Sequence, residues 1–241
     1  MKIKFFSSKP KHYLTQKDIE NLSCFFCLDS QGLLATVFSN FPLPLKRHCV
    51  QVGAAAGRMA LHVPDSAIPN GMTREEYANA VRYGSLYHNI GAYLVYNQKV
   101  MYPTAGARFL KEQMSERKVN PAARKVILET VRNYGERYDG KGYPDKLSGD
   151  NIPLHAQICA IANQADKTIP TRRGFLTNPI AETKRIIIQS KGRAFSPVAV
   201  NCFMAAYGDI EHLYKCWRKT PPFWKNTDIK PLNLPITAVI G

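Results

Sequence analysis

Tyr134-Gly-Glu-Arg-Tyr-Asp-Gly-Lys-Gly-Tyr-Pro144, followed by the run from Leu147 to Asp166, decides how this chain is read. The segment from Tyr138 to Pro153 is rich in Gly, Pro and Asp, so it reads as a loop ordered by what it packs on. Gly140 and Gly142 permit a tight path, and Tyr143 packs that path down. Gly149, Ile152, Pro153 and Leu154 then form a turn.

Outward from this loop, helix signals recur and strand signals are scarce. Thr15-x-x-Asp18 opens a helix through Phe26, because its side chains can occupy the free amides of a first turn. Lys46 to Leu61 is Ala-rich and predicts a helix that His62 to Gly71 breaks. Thr73-x-x-Glu76 is a capping box leading into a helix that ends near His88. Another helix starts at Thr104 and runs to about Arg117. Asn120-Pro121, Asn178-Pro179 and Ser196-Pro197 each pair a cap residue with a proline at the first helical position. Gly192 suits the end of the helix that starts at Pro179. Met1 to Phe6 and Gly32 to Phe41 are the strand candidates. The tail from Thr220 carries four prolines and little periodicity. The expectation is an all-α, mainly helical chain with a short β element near the N-terminus. Its parts are an extension over 1–42, a helical domain over 43–218 and a Pro-rich tail over 219–241.

Composition narrows the function. Apolar residues make up 45% of the 241 and charged residues 21%, the fractions of a globular protein. No apolar run reaches the eighteen or so residues of a membrane span, and Phe5-Phe6 is too short for the core of a signal peptide. A cytoplasmic location without membrane contact is the expectation. The six cysteines show no disulfide framework. Cys24-x-x-Cys27 lacks the second pair that a four-ligand zinc site needs, so both read as buried thiols. Lys and Arg outnumber Asp and Glu by 33 to 18, for a net charge of +15. A field of that sign favours anionic partners. The charge is dispersed, with no basic run of five to eight residues, so nucleic acid is only weakly indicated. No Ser-His-Asp order, Walker loop or dinucleotide fingerprint is present.

Glu136, Arg137, Asp139, Gly140, Gly142, Tyr143 and Pro144, with Gly149, Ile152, Pro153 and Leu154, resemble the signature of the HD-GYP family of bacterial cyclic-dinucleotide phosphodiesterases. The resemblance covers most of residues 43 to 210 and implies the helical bundle of the HD superfamily. In active members, side chains on several helices hold two or three iron or manganese ions, and an ion-bound water attacks the phosphodiester. Taken residue by residue, the resemblance puts His48 at the first histidine and Pro44 at the Glu one turn before it. The His-Asp pair becomes His88-Asn89, and Ala92 stands for the Lys that follows. The lone His becomes Tyr102, the His-His pair Tyr134-Gly135, and the last Asp becomes Asn163. The separation 163 − 135 = 28 is close to the family's. Arg172-Arg173 falls where the family has a phosphate-contacting Arg motif, and Phe195-Ser196-Pro197 resembles a Phe-Asp-Pro helix start.

Of those ligand positions only His48 and His88 keep a ligating residue of the original type. Asn lacks the charge of Asp, Tyr stays protonated near neutral pH, and Gly135 offers no donor. Two hard ions need carboxylates to bridge them and offset their charge. The leading expectation is therefore a catalytically silent HD-GYP-like domain without a metal cofactor, acting as a regulatory or binding module. Its ligand would be a cyclic dinucleotide or another phosphate-bearing molecule, met by Arg172, Arg173, Lys167, Arg137 and Tyr143. Iron or manganese belongs only to the rival reading, a phosphohydrolase with one ion on His48 and His88. A nucleic-acid-associated protein and a protein-binding subunit using the Gly-Tyr-Pro loop are further rivals. Tyr102 and Tyr134 are expected to fill the volume of absent ions, with His48, His88 and Asn163 around the same pocket. Asp139 and Asp166 are read as local caps or pairs, and His62, His155 and His212 show no partner pattern.

Overall fold

A computed structural model describes residues 41–94, 101–115, 119–171 and 179–219. The helices there are α1 (Leu43–Ala60), α2 (Arg74–Leu86), α3 (Ile90–Leu94), α4 (Tyr102–Gln113), α5 (Pro121–Asn133), α6 (Leu154–Thr171), α7 (Pro179–Gln189), α8 (Pro197–Ala205) and α9 (Tyr207–Lys219). Short 3-10 turns sit at Asp65–Ala67 and Gly149–Asn151. Among the described residues there is no strand, only an isolated bridge between Lys191 and Phe195. The fold is all-α. The strand candidates, the helix read over 15–26 and the tail lie outside the described residues, apart from Phe41, which is buried.

Local chemistry fixes the helix starts. The Thr73 hydroxyl accepts from the Glu76 amide at 3.1 Å, and the Glu76 carboxylate accepts from the Thr73 amide at 2.8 Å. Two orphan donors are thereby satisfied at the start of α2. Asn120 accepts from the Ala122 amide at 2.9 Å, and Ser196 accepts from the Ala199 amide at 3.2 Å. Each of these caps precedes a proline whose missing N–H is harmless in a first turn. The same tolerance moves two starts earlier than the sequence pattern suggests. α1 begins at Leu43 and carries Pro44 in its first turn, and α4 begins at Tyr102 and carries Pro103.

Helix α1 packs on α2 and α6, α2 packs on α5, and α8 and α9 close against α1. Val52, Ala55, Ala56 and Met59 give α1 a face with no exposure to solvent, and Ile158 and Ile161 do the same for α6. Small residues on that face bring the helices close, where polar side chains from α1, α6 and the chain after α2 meet inside an apolar shell.

Candidate functional site

The meeting point is built from His48 on α1, His88 just after α2, Tyr134 just after α5, Asp166 on α6 and Tyr214 on α9. His48 Nδ1 lies 2.7 Å from Asp166 Oδ2. The other carboxylate oxygen accepts from the Tyr214 hydroxyl at 2.8 Å. Both oxygens of Asp166 are therefore engaged by side chains of this chain. His88 is fully buried, and its Nδ1 faces the Ser85 carbonyl at 2.6 Å. A carbonyl only accepts, so His88 Nδ1 carries the proton and Nε2 keeps its lone pair. Burial, and then the nearby His48, push the His88 imidazole down to about 3, so it is neutral at pH 7.

The two Nε2 atoms of His48 and His88 face each other at 3.3 Å. With both Nδ1 atoms held by acceptors, a proton or a single cation between the Nε2 atoms satisfies both. The Tyr134 ring stands edge-on to His88 at 4.9 Å, and its hydroxyl donates to Asn89 Oδ1 at 3.2 Å. Burial pushes the Tyr134 and Tyr214 hydroxyls well above their ordinary range, so both stay donors. Asn163 is buried one turn before Asp166 on α6, and its Oδ1 has no hydrogen-bond partner. The buried thiols offer no anion near neutral pH. Burial raises Cys159 to about 12 and Cys49 further.

Beside the pocket runs the loop from Tyr134 to Pro153. Glu136 is buried and accepts from the backbone amides of Asp145 at 2.6 Å and Leu147 at 3.2 Å. A Cβ on Gly142 would run into the Arg137 amide nitrogen and the Glu136 Cα, so only glycine lets the loop fold back on itself. Arg132 grips Asp145 with two 2.7 Å bonds. Arg137 grips Asp139 at 3.0 and 2.6 Å, which is the main reason the Asp139 carboxyl lies at about 2. The amides of Tyr138 and Asp139 bond to the carbonyls of Ala194 and Arg193 and tie the loop to the turn before α8. Gln157 accepts from the Ser196 amide at 2.9 Å, a second tie to the same turn.

The model of the HD domain family matches residues 101–191. A probable cyclic di-GMP phosphodiesterase of Vibrio cholerae is 37% identical over 81 residues, 33% of this chain and 18% of that protein. A cyclic di-GMP phosphodiesterase of Thermotoga maritima is 25% identical over 70% of this chain and 46% of its own length. The cyclic di-GMP phosphodiesterase response regulator RpfG of Xanthomonas campestris is 24% identical over 58% of this chain and 39% of its own. Residues 101–191 thus match the HD domain family, and the chain is similar to cyclic di-GMP phosphodiesterases. It spans less than half the length of each of these relatives. A crystal structure of a cyclic GMP-AMP specific phosphodiesterase of V. cholerae aligns with 80% of this chain and 48% of that one, at a TM-score of 0.44 and 16% identity.

In the HD-GYP register, His48, His88 and Tyr134 meet in the pocket, with Asn89 bonded to Tyr134 and Asn163 buried on α6. Tyr102 does not fill this volume. It is 45% exposed at the first position of α4, because its backbone carbonyl is what packs against Gly91. Asp166, read from sequence as a local cap, instead pairs with His48 across 118 residues. The i, i+3 spacing from Asn163 was the signal that put both on one helix face. Tyr214 had no signal at all. Of the ligand candidates, Arg137 is held by Asp139, Tyr143 is 45% exposed, and Lys167 is an exposed α6 residue whose charge reaches His88. Arg172 and Arg173 lie outside the described residues. His155, without a partner in the sequence pattern, meets Glu129 at 3.1 Å.

Proposed function

We propose that this chain is a catalytically silent HD-GYP domain that serves as a regulatory or binding module for a cyclic dinucleotide or another phosphate-bearing ligand. The observation that carries this is the state of Asp166, the carboxylate that meets His48, with both oxygens taken by His48 and Tyr214. A centre of two hard ions needs several free carboxylates. Here the other positions supply neutral Asn89, Asn163 and Tyr134, and Gly135 supplies nothing. Among the described residues, no group of three or more His, Cys, Asp or Glu side chains is arranged to hold an ion. The residues present do not fit the ion centre that the resemblance implies, and no hydrolytic step is derived through one. The phosphate-bearing ligand is supported by the relatives named as cyclic di-GMP phosphodiesterases and by the net charge of +15. Arg172 is the residue proposed to meet its phosphate, since a guanidinium suits phosphate geometry. A cytoplasmic place is part of the same proposal.

One observation favours a second reading, an active phosphohydrolase. His48 and His88 turn their Nε2 atoms toward one another at 3.3 Å with each Nδ1 anchored, an arrangement able to hold a single ion. Elemental analysis of protein prepared reduced and with iron, together with a cyclic di-GMP hydrolysis assay, separates the two. Silence predicts iron, manganese and zinc well below one per chain, no turnover, and calorimetric binding of cyclic di-GMP that Arg172→Ala weakens about 10- to 150-fold. Turnover abolished by His88→Ala would establish the second reading instead.

A further inference from the structure

Positive charge that is dispersed in the sequence is partly gathered by the fold. The amides of Tyr138 and Asp139 bond to the carbonyls of Ala194 and Arg193 at 3.2 and 2.8 Å, and the Gly149 amide bonds to the Tyr138 carbonyl at 2.9 Å. A Cβ on Gly140 would stand 3.2 Å from Ser148 Cβ. The two halves of the loop and the turn before α8 therefore share one surface. Lys141, Lys146, Lys191 and Arg193 are exposed on these segments, and the Tyr143 ring, between the two loop lysines in sequence, is 45% exposed. Among the described residues, the side chains of Lys141, Lys146 and Arg193 make no hydrogen bond or ion pair. Lys191 meets the neutral Asn201 at 3.3 Å. The loop carboxylates are already matched, Asp139 by Arg137 and Asp145 by Arg132, while Asp150 accepts from the Tyr138 hydroxyl. Lys146 also has a φ of 54°. In that left-handed region a Cβ crowds the following carbonyl, and glycine sits without cost. A lysine in a strained conformation, with no partner of its own, points to one outside the chain.

The side chains present decide the class of partner. Lysine is a flexible point charge that suits phosphate without fixing one geometry, and it is depleted at protein–protein interfaces. An exposed tyrosine beside such charges is a stacking platform for an unpaired base. We propose that this face binds a single-stranded nucleic acid, with Lys141, Lys146, Lys191 and Arg193 against its phosphodiesters and a base stacked on Tyr143. A duplex keeps its bases stacked inside and offers the ring nothing. The net charge of +15 draws such a polyanion in. The inference rests neither on catalytic silence nor on Arg172.

The test is fluorescence anisotropy of labelled oligothymidylate with the full chain at rising salt. Binding is expected at low salt, with log affinity falling against log salt at a slope of about −2 to −3, since a single strand gives about −0.7 for each phosphate met. Lys146→Gly should raise the melting temperature by about 2–4 °C, because the strain is relieved. The same change should weaken binding and make the salt slope shallower by about 0.7. Stability gained while affinity is lost is a pairing that a merely structural lysine does not give. Tyr143→Ala should weaken binding about 5- to 150-fold, the scale of one base–aromatic stack, and Tyr143→Phe should keep it. No binding at low salt, wild-type affinity in Lys146→Gly or Tyr143→Ala, or Tyr143→Phe as weak as Tyr143→Ala overturns the proposal. Equal affinity for a duplex also overturns it. Displacement of the oligonucleotide by polyglutamate at matched charge would assign the face to an acidic protein instead.

Discussion

The loop and the pocket lie side by side but differ in how the family's residues survive. In the loop, Glu136, Arg137, Asp139, Gly142 and Tyr143 keep their identities, and each has a packing or hydrogen-bonding task inside the loop. In the pocket, His48 and His88 remain while Asn89, Tyr134 and Gly135 stand where the resemblance implies ligands; Tyr134 pairs with Asn89 and Tyr214 with Asp166, while Asn163 Oδ1 has no partner. The difference teaches that the Gly-Tyr-Pro loop is held by bonds within itself and by its ties to α5 and the turn before α8. Its contacts are backbone amides on Glu136, the Arg137–Asp139 pair, the pair that Arg132 of α5 makes with Asp145, and the Tyr138 and Asp139 amides on the turn before α8.

The comparison is broken most strongly by Glu136→Ala. Removing a carboxylate that accepts two amides should destabilise the domain by about 2–4 kcal/mol, with tryptic cleavage rising in the loop. If the regions are independent, the imidazole resonances of His48 and His88 should move little. Large shifts in both would show that the loop props the pocket. Tyr214→Phe is the converse. It deletes the 2.8 Å bond to buried Asp166 and should cost about 1.5–3 kcal/mol in urea unfolding. Those resonances should then move while loop cleavage stays at the wild-type rate, and a wild-type unfolding midpoint would remove Tyr214 from the pocket.

Acid sharpens the contrast with a smaller effect, because the two regions titrate in different windows. His88 sits at about 3 when folded against an ordinary 6.5. Between those values the unfolded chain binds a proton that the folded chain refuses, so stability falls as pH drops through that window. Asp139, held at about 2 chiefly by Arg137, favours the fold above its ordinary 3.8. That contribution is lost only as pH falls from there toward 2. Urea midpoints between pH 7 and 3 should decline first from the pocket, and His88→Gln should flatten the slope above pH 4. An unchanged slope in that variant would assign the acid sensitivity elsewhere.

Much of the fold was legible in short-range chemistry. The Thr73–Glu76 box, the Asn120-Pro121 and Ser196-Pro197 starts and the Ala-rich α1 were readable because caps and propensities act within one turn. The loop was legible because its glycines and charged residues interact mainly within a dozen positions of one another. Two helix starts fell earlier than read, at Leu43 and Tyr102, because proline is harmless in a first turn. The pocket was only partly legible. Its residues were nominated by resemblance, but the outward turn of Tyr102 follows from how α4 packs on α3. The sequence by itself pointed to a mainly helical chain, a Gly- and Pro-rich loop ordered by what it packs on, and the polar residues Asn89, Tyr134 and Asn163 at positions where the resemblance implies ligands. Only the tertiary structure decided that Asp166 serves His48, that Tyr214 comes from α9 to complete it, and that Tyr143 rests on Gly135. Those contacts join residues 118 and 48 positions apart, or depend on the absence of a side chain. Neither spacing nor propensity encodes the first two, because they arise where separate helices cross and exclude water.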